Sequence, residues 1–436
     1  MSIRKDIWKL AWPVMIVSAM HTLFGIVDLL FISWLGTEQN AGAGIATSII
    51  GVIMVLPMLI SSGTTAIAAR AVGADNEQEF REAASQSIVY SVLFGIFAYL
   101  LSLVLKNWLM GIFGVTADVY IHAVNYIDII YITIPLGFVV SALVSILHAK
   151  GDTKSPMWYL GFSNLMNIVL DWLFIMKLGY GIKGAALATV IGEIFALAAL
   201  MIKVLSVMKT DLPGFIRRIS LSKQMLKRIL KVGVYSVAYG ITRPFTGMLM
   251  YKIAAESGMA AIAAFNTGGR LFSILFIFFG GIEVAVSIMV GQSLGSKDID
   301  RIDRLITEGI KVAFLFLMIL AIPYVVFSKY LIMIFLSDPE VLLIGTRYLR
   351  IVFIGLIFLV FLTVYNAVLK GAGDTKPSMV GALVGNWLIK IPMAYLLSRM
   401  GLGSDGVWIA IAASVLVETM VVWYYFRKGN WRQKKL

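Results

Sequence analysis

The stretch LHAKGDTKSPM at residues 147–157 returns as LKGAGDTKPSM at residues 369–379, so the tetrapeptide GDTK recurs after 222 positions. The same register sets Asn164 over Asn386, Gly181 over Gly403 and Gly184 over Gly406. It also places Gly73 of AVGADN over Gly295 of SLGSKD. Nearly half the chain separates the copies, so a whole half has been duplicated. In a chain this apolar, internal repeats are how many carriers build two walls around one path.

The 436 residues are 60% hydrophobic and only 14% charged, where a soluble domain is about one quarter charged. Apolar runs of about 20 residues, long enough to cross a bilayer as helices, follow one another almost end to end. They lack the ten-residue alternation of a membrane barrel. The sequence predicts spans at 7–35, 44–70, 83–105, 121–147, 157–178, 183–208, 226–255, 260–292, 304–328, 342–369, 377–400 and 405–427. The expected fold is an all-α integral membrane protein with twelve transmembrane helices in two six-helix bundles. An even number of helices per copy starts both halves on the same membrane face. That implies a pseudo-twofold along the membrane normal and a cleft opening alternately to either side. The expected division is a first lobe at 1–208, a cytoplasmic linker at 209–225 and a second lobe at 226–436.

The net charge of +13 is distributed by topology. With the N-terminus inside, cytoplasmic segments hold Arg4, Lys5, Lys9, Arg70, Arg81, Lys150, Lys154, Lys297, Arg301, Arg304, Lys370, Lys376, the basic group at 203–231 and the tail from Arg427. The outer segments hold fewer basic residues, among them Lys106, Lys177, Lys329 and Arg399. This bias follows the positive-inside rule and sets both termini in the cytoplasm, with the protein in the cell (inner) membrane. Nucleic acid is not an expected partner. Both GDTK loops then lie at the cytoplasmic surface as turn devices, with Gly at positive φ, Asp in an Asx-type turn and Lys at the headgroups. The segment KTDLPGFIRRISLSKQMLKRILK at 209–231 reads either as a charged tether or as a partly amphipathic helix on the membrane surface. Helix 1 lacks a small-residue cleavage site and is expected to remain. The absence of cysteine excludes disulfides and a thiolate metal site. No Walker A, HExxH, EF-hand or nucleophile-elbow pattern is present. No enzyme activity and no cofactor are expected, and a monomer surrounded by lipid is the expected state.

A charge inside a bilayer costs roughly 2.5–3.5 kcal/mol on insertion scales, so those inside spans require an account. The first half carries Asp28, Asp171 and Glu193; the second carries Arg243, Glu283 and Lys390. At 1.5 Å per residue, Asp28 and Asp171 both lie about 12 Å below the outer surface. Thr189 and Tyr126 lie at about 8 Å, and Glu193 is one turn deeper than Thr189. Asn164, Asn167 and Asp171 share one helix face, as do Ser18, His21, Gly25 and Asp28 on helix 1. Two carboxylates so placed repel when both are ionised, so a close pair shares protons. The pocket binds and releases H⁺, or holds Na⁺ with Asp28, Asn167, Asp171 and Thr189; alternatively each acid only bonds a neighbouring helix. His21 is expected to make an interhelical hydrogen bond. Arg243, Glu283 and Lys390 either neutralise one another or gate substrate.

At these residues the chain resembles the multidrug and toxic compound extrusion family, MATE, over essentially its whole length. The carriers of the resemblance are Pro13 followed by MHTLFGIVDLLFISWLG, and NLMNIVLDWLFIMKLGYGIKGAALATVIGE with the paired GDTK loops. It is similar to the proton-linked, DinF-like and archaeal group with an acidic first lobe. That resemblance implies cation-site carboxylates at Asp28 and Asp171, polar neighbours at Asn167, Thr189 and Tyr126, and a bending proline at Pro13. It departs from NorM-like members, which carry acids in helices 7 and 10; here VGVYSVAYGITRPF offers Tyr239 and Arg243. The implied activity is antiport of amphipathic, often cationic small organic molecules against H⁺ or Na⁺. Two alternatives stand beside it. One is a flippase of lipids or lipid-linked sugars, with Arg243, Arg270 and Lys390 lining a cationic cleft; the other is a receptor or scaffold that moves no solute.

Overall fold

The computed structural model describes residues 2–112, 117–217 and 221–434. Inside hydrocarbon a backbone amide finds no water, so a spanning segment satisfies its polar groups within its own helix. The described residues accordingly form helices joined by short turns. They are α1 (Ile3–Ser33), α2 (Thr37–Ile53), α3 (Met58–Gly73), α4 (Glu77–Ile112), α5 (Ala117–Ile130) and α6 (Thr133–Ala149). Then follow α7 (Lys154–Asp171), α8 (Gly181–Val207), the short α9 (Leu212–Arg217) and α10 (Lys223–Ala255). The second half continues with α11 (Met259–Gly295), α12 (Ile299–Val325), α13 (Ser328–Met333), α14 (Pro339–Gly371), α15 (Lys376–Ala382), α16 (Ile391–Leu397) and α17 (Gly403–Lys428).

These elements account for twelve spans. Two spans of the first half are bent pairs, α2 with α3 at 40° and α5 with α6 at 42°. Proline explains both bends, since Pro57 starts α3 and Pro135 lies in the first turn of α6, and each removes a backbone donor. At the matching positions the second half has Phe279 and Ile357, and α11 and α14 run unbroken. The stretch Lys376–Lys428 holds two spans that turn at Gly401 and Gly403, both at positive φ. The segment at 209–231 contains α9, and its residues 218–220, including Arg218, lie outside the described residues.

The duplication is written in the backbone as well as in the residues. Gly36 and Gly258 take φ of 114° and 102°, Gly151 and Gly373 take 78° and 71°, and Asp75 and Lys297 take 53° and 60°. Each pair is 222 residues apart. After Gly151, the Asp152 N–H donates to the Leu147 carbonyl at 2.9 Å; after Gly373, Asp374 donates to Leu369 at 2.8 Å. Asn76 to Ala71 and Asp298 to Ser293 repeat that bond at 2.9 Å. These are Schellman closures, which satisfy the last carbonyls of a helix. In the GDTK loop Asp152 also accepts from the Ser155 backbone at 2.9 Å and from its hydroxyl at 2.6 Å, starting α7. Asp374 instead accepts from Lys434 at 2.6 Å.

The chain groups into two compact lobes, residues 16–233 and residues 1–15 with 234–436. The boundaries fall inside α1 and α10 rather than in the linker, and close helix packing is the reason. In the first lobe, a Cβ on Gly63 would stand 2.5 Å from the Ile229 carbonyl, and one on Gly233 only 1.7 Å from that of Leu59. The start of α10 therefore lies against α3. In the second lobe the start of α1 lies against α11, where a Cβ on Gly281 would meet Met15 Cγ at 2.5 Å and the Ala11 carbonyl at 2.9 Å. The first lobe packs α6 against α3, α4 and α8, and the second packs α14 against α11, α12 and α17. Around α14, Tyr348 meets Trp408 edge-on at 4.4 Å and Phe265 and Phe272 at 5.9 and 5.4 Å.

Gly280 and Gly281 make a matched test of this packing. Gly280 has nothing within 4 Å of an added Cβ, so Gly280→Ala should be neutral or stabilising by up to ~1 kcal/mol through helix propensity. Gly281→Ala forces α1 from α11 and should cost about 1–3 kcal/mol. Unfolding midpoints of the detergent-purified variants read the difference.

Candidate functional site

The first lobe brings together residues from five helices. Asp28 on α1 is 8% exposed, and Asp171, the last residue of α7, is 0% exposed. Asn167 lies one turn earlier on α7, also buried; Tyr126 on α5 is buried too. The Tyr126 hydroxyl is hydrogen-bonded with Thr47 on α2 and lies within electrostatic reach of both Asp28 and Asp171. The Asn167 amide donates to the Thr189 hydroxyl on α8 at 3.2 Å, and that hydroxyl donates to the Ala185 carbonyl at 3.1 Å.

Small residues let these helices approach. The Ser163 hydroxyl donates to the Gly192 carbonyl at 2.6 Å, and a Cβ on Gly192 would sit 3.2 Å from that hydroxyl. This contact pins α7 to α8 one turn from Asn167. Gly161 on the same helix receives Met20 of α1, whose sulfur would lie 3.1 Å from an added Cβ. Directly after Asp171 the helix widens into a π-helical segment, Trp172–Lys177. Such segments recur at functional sites, because they displace side chains and free backbone groups.

Among the described residues, both carboxylate oxygens of Asp171, Oδ1 of Asp28, Oδ1 of Asn167 and Oε2 of Glu193 are buried without a hydrogen bond. A buried carboxylate left ionised and unpaired costs several kcal/mol, so such a group is held by a proton or a cation. Glu193 lies one turn beyond Thr189 on α8 and is in no ion pair among the described residues. The three acids form no single metal-holding cluster among the described residues. Asn164 is half-buried on the face expected. His21 is exposed, with the Phe24 ring 6.2 Å away, and among the described residues it makes no interhelical hydrogen bond. Pro13 lies within the unbroken α1 and belongs to the second lobe.

The second lobe, in the 222-residue register, has lost this constellation. Met250 replaces Asp28, Ile389 replaces Asn167, Met393 replaces Asp171 and Ile411 replaces Thr189, while Tyr348 stands over Tyr126. Met250, Met393 and Ile411 belong to the packed apolar core around α14. Its charged residues do not simply neutralise one another as a trio. Glu283 pairs with Lys370, whereas Arg243 donates to the Tyr239 hydroxyl at 3.1 Å and lies 3.9 Å from Glu418. Lys390 has no carboxylate in ion-pair contact among the described residues. Glu418 and the partnership of Lys370 with Glu283 were not foreseen from the sequence, where Lys370 counts only as a basic residue at a span's cytoplasmic end. Glu418 was legible, since it lies in the middle of the last predicted span.

Fold and site define a polytopic membrane protein of two six-span copies, with a buried acidic pocket in one copy. The chain belongs to the MatE family, whose model matches residues 13–173 and 238–396, one match in each copy. This is a family of membrane transporters. The chain is 28% identical over 440 residues to the probable multidrug resistance protein NorM of Thermotoga maritima, covering 99% of this chain and 94% of that protein. It is 24% identical to the probable multidrug resistance protein YoeA of Bacillus subtilis, over 97% and 93% of the two chains. An Asp-to-Asn mutant of the Vibrio cholerae MATE transporter VcmN superposes with a TM-score of 0.92 at 23% identity, over 99% of each chain. A MOP superfamily transporter of Pyrococcus furiosus, described as having a binding pocket of reverse polarity, gives 0.91 at 22% identity, over 100% and 98%. These two structures share the fold with this chain.

Thr189 is the only acceptor for the Asn167 amide among the described residues. Thr189→Val leaves a buried donor unmatched and should lower stability by about 1 kcal/mol, while Thr189→Ser keeps the bond and should not. Chemical unfolding in detergent separates the two.

Proposed function

We propose that the protein exports small amphipathic organic compounds from the cell, multidrug-fashion, in exchange for H⁺ entering through the first lobe, with Na⁺ as the alternative coupling ion. The relatives named multidrug resistance proteins support the substrate class. The observation that carries the coupling is Asp171, fully buried with neither carboxylate oxygen partnered, beside Asp28 and facing the same tyrosine. The donor set favours H⁺. The Thr189 hydroxyl is already committed to Asn167 and Ala185, which weakens it as a Na⁺ ligand. The open Oδ1 of Asn167 is an acceptor of the kind a protonated carboxyl needs.

A proton arriving at the pair removes one charge and turns an acceptor-only group into a donor, so the hydrogen bonds available to α1 and α7 change. Helix α1 holds Asp28 on one side and Pro13 on the other. Pro13 leaves the Lys9 carbonyl without its helical donor, which makes this turn the bend point through which protonation alters α1. A bistable element of this kind is what alternating access requires. The protein acts as a monomer in the inner membrane, surrounded by lipid and with both termini cytoplasmic.

Ion pairs outside the spans do not provide the switch. The Lys150 hydrogen bond holds the Glu77 carboxyl, where the turn after α3 leads into α4, below its ordinary range. A depressed carboxyl contributes stability above its ordinary pKa of ~4.3 and loses it as pH falls through the lowered value. Glu77 therefore stays ionised around neutrality.

In proteoliposomes, an imposed pH gradient should drive flux of a cationic dye, and a Na⁺ gradient alone should not. Asp28→Asn and Asp171→Asn should each reduce pH-driven flux at least tenfold while dye binding persists. Normal flux in both variants would falsify the coupling site; flux driven by Na⁺ alone would reassign the ion.

A further inference from the structure

The second lobe holds a charged cluster that ion coupling leaves unused. It draws Tyr239 and Arg243 from α10, Lys390 from the π-helical segment Leu383–Lys390, and Glu418 from α17. Nearby, Lys370 is occupied by Glu283 and lies over the Tyr239 ring at 5.1 Å, so that pair is closed. Asn366 donates to the Tyr239 hydroxyl at 3.4 Å and accepts from Ser378 at 2.7 Å, which fixes the tyrosine from behind.

Arg243 is different. Its side chain remains 39% exposed, 3.9 Å from Glu418 Oε1, beyond hydrogen-bond distance. Its guanidinium lies 5.5 Å from the Tyr239 ring and 5.7 Å from that of Phe276. Glu418 is 3% exposed; its Oε2 accepts from Asn386 at 3.2 Å, and its Oε1 has no hydrogen bond. Lys390 is half-buried and lies within electrostatic reach of Arg243 and Glu418. Two cations therefore share one carboxylate that touches neither closely. Charges held at mid-span at this cost mark a substrate or ion path. A guanidinium backed by aromatic rings, with an ammonium nearby, is the arrangement that binds an oxyanion in a fork.

We propose that Arg243 and Lys390 form an oxyanion-binding site in the second lobe, taking the phosphate or carboxylate group of an amphiphilic anion. Glu418 occupies the guanidinium loosely when no anion is bound and is displaced when one arrives. This site is separate from the acidic pocket, and its binding requires no ion gradient.

The test uses the full-length protein in detergent, with dodecyl phosphate as probe and dodecyltrimethylammonium as comparison, followed by calorimetry. Dodecyl phosphate should bind saturably, and the double variant Arg243→Gln/Lys390→Gln should lose at least tenfold in affinity. Glu418→Gln removes the internal competitor and should gain severalfold, a direction that misfolding cannot imitate. Dodecyltrimethylammonium should bind the double variant no more weakly than the wild type. Displacement by inorganic phosphate would assign the site to free anions; tighter binding of the headgroup in phosphatidylglycerol than in phosphatidylcholine nanodiscs would assign it to lipid. The proposal is overturned if dodecyl phosphate affinity is unchanged in the double variant, or is not raised by Glu418→Gln. Because no gradient is applied, failure here leaves the proton-coupling reading standing, and failure of dye flux leaves this site standing.

Discussion

The rest of the structure depends on the rule that a backbone amide in hydrocarbon must find its carbonyl within the same segment. It dictates helices, and it confines irregular backbone to the turns, where Gly36, Gly151, Gly179 and their partners in the second copy take positive φ. It also gives meaning to the places where the helical ladder widens. One π-helical segment begins immediately after Asp171, and another contains Asn386 and ends at Lys390. Both lie beside polar groups that no ordinary membrane helix retains without a role. In each lobe one such segment adjoins the polar cluster described, and a further one, Ser398–Leu402, lies at the turn before α17.

Helix spacing in each lobe rests on small residues, and the copies solve the same problem with the parts exchanged. Ser163 meets Gly192 in the first lobe. At the matching place in the second lobe, Gly385 meets Ser414, whose carbonyl would lie 2.8 Å from an added Cβ. The framework could thus be kept while its lining changed. Four polar residues around Tyr126 give way to Met250, Ile389, Met393 and Ile411 around Tyr348, whose ring is held by Trp408. A buried acidic pocket and a packed apolar core occupy equivalent positions on one backbone plan.

Much of this was legible in the chain. Span lengths and the 222-residue register are one-dimensional signals; helical depth grouped Asp28, Asp171, Thr189, Tyr126 and Glu193 in the outer half of the first lobe, and spacing put Asn167 on the face of Asp171. What could not be read depends on side-chain reach and packing. Glu283 finds Lys370, 87 residues away, because a lysine at a span's end extends back into it. The lobe boundary within α1 rests on how Ala11 and Met15 meet Gly281, a contact that spacing does not encode. The bends near Pro57 and Pro135 needed those prolines to be weighed against their apolar counterparts. His21 was expected to bond across helices, but it is exposed, with Phe24 of its own helix beside it. Hydropathy cannot tell a polar residue facing a helix from one facing away.

In the repeat register His21 stands at the position of Arg243. One position of the repeat holds an imidazole in the first copy and a guanidinium in the second. Duplication gave evolution two drafts of the same helix, released from having to do the same work. A protein built this way can change the sign of one wall without rewriting the other, and a new class of cargo then needs only a few substitutions in one copy rather than a new fold.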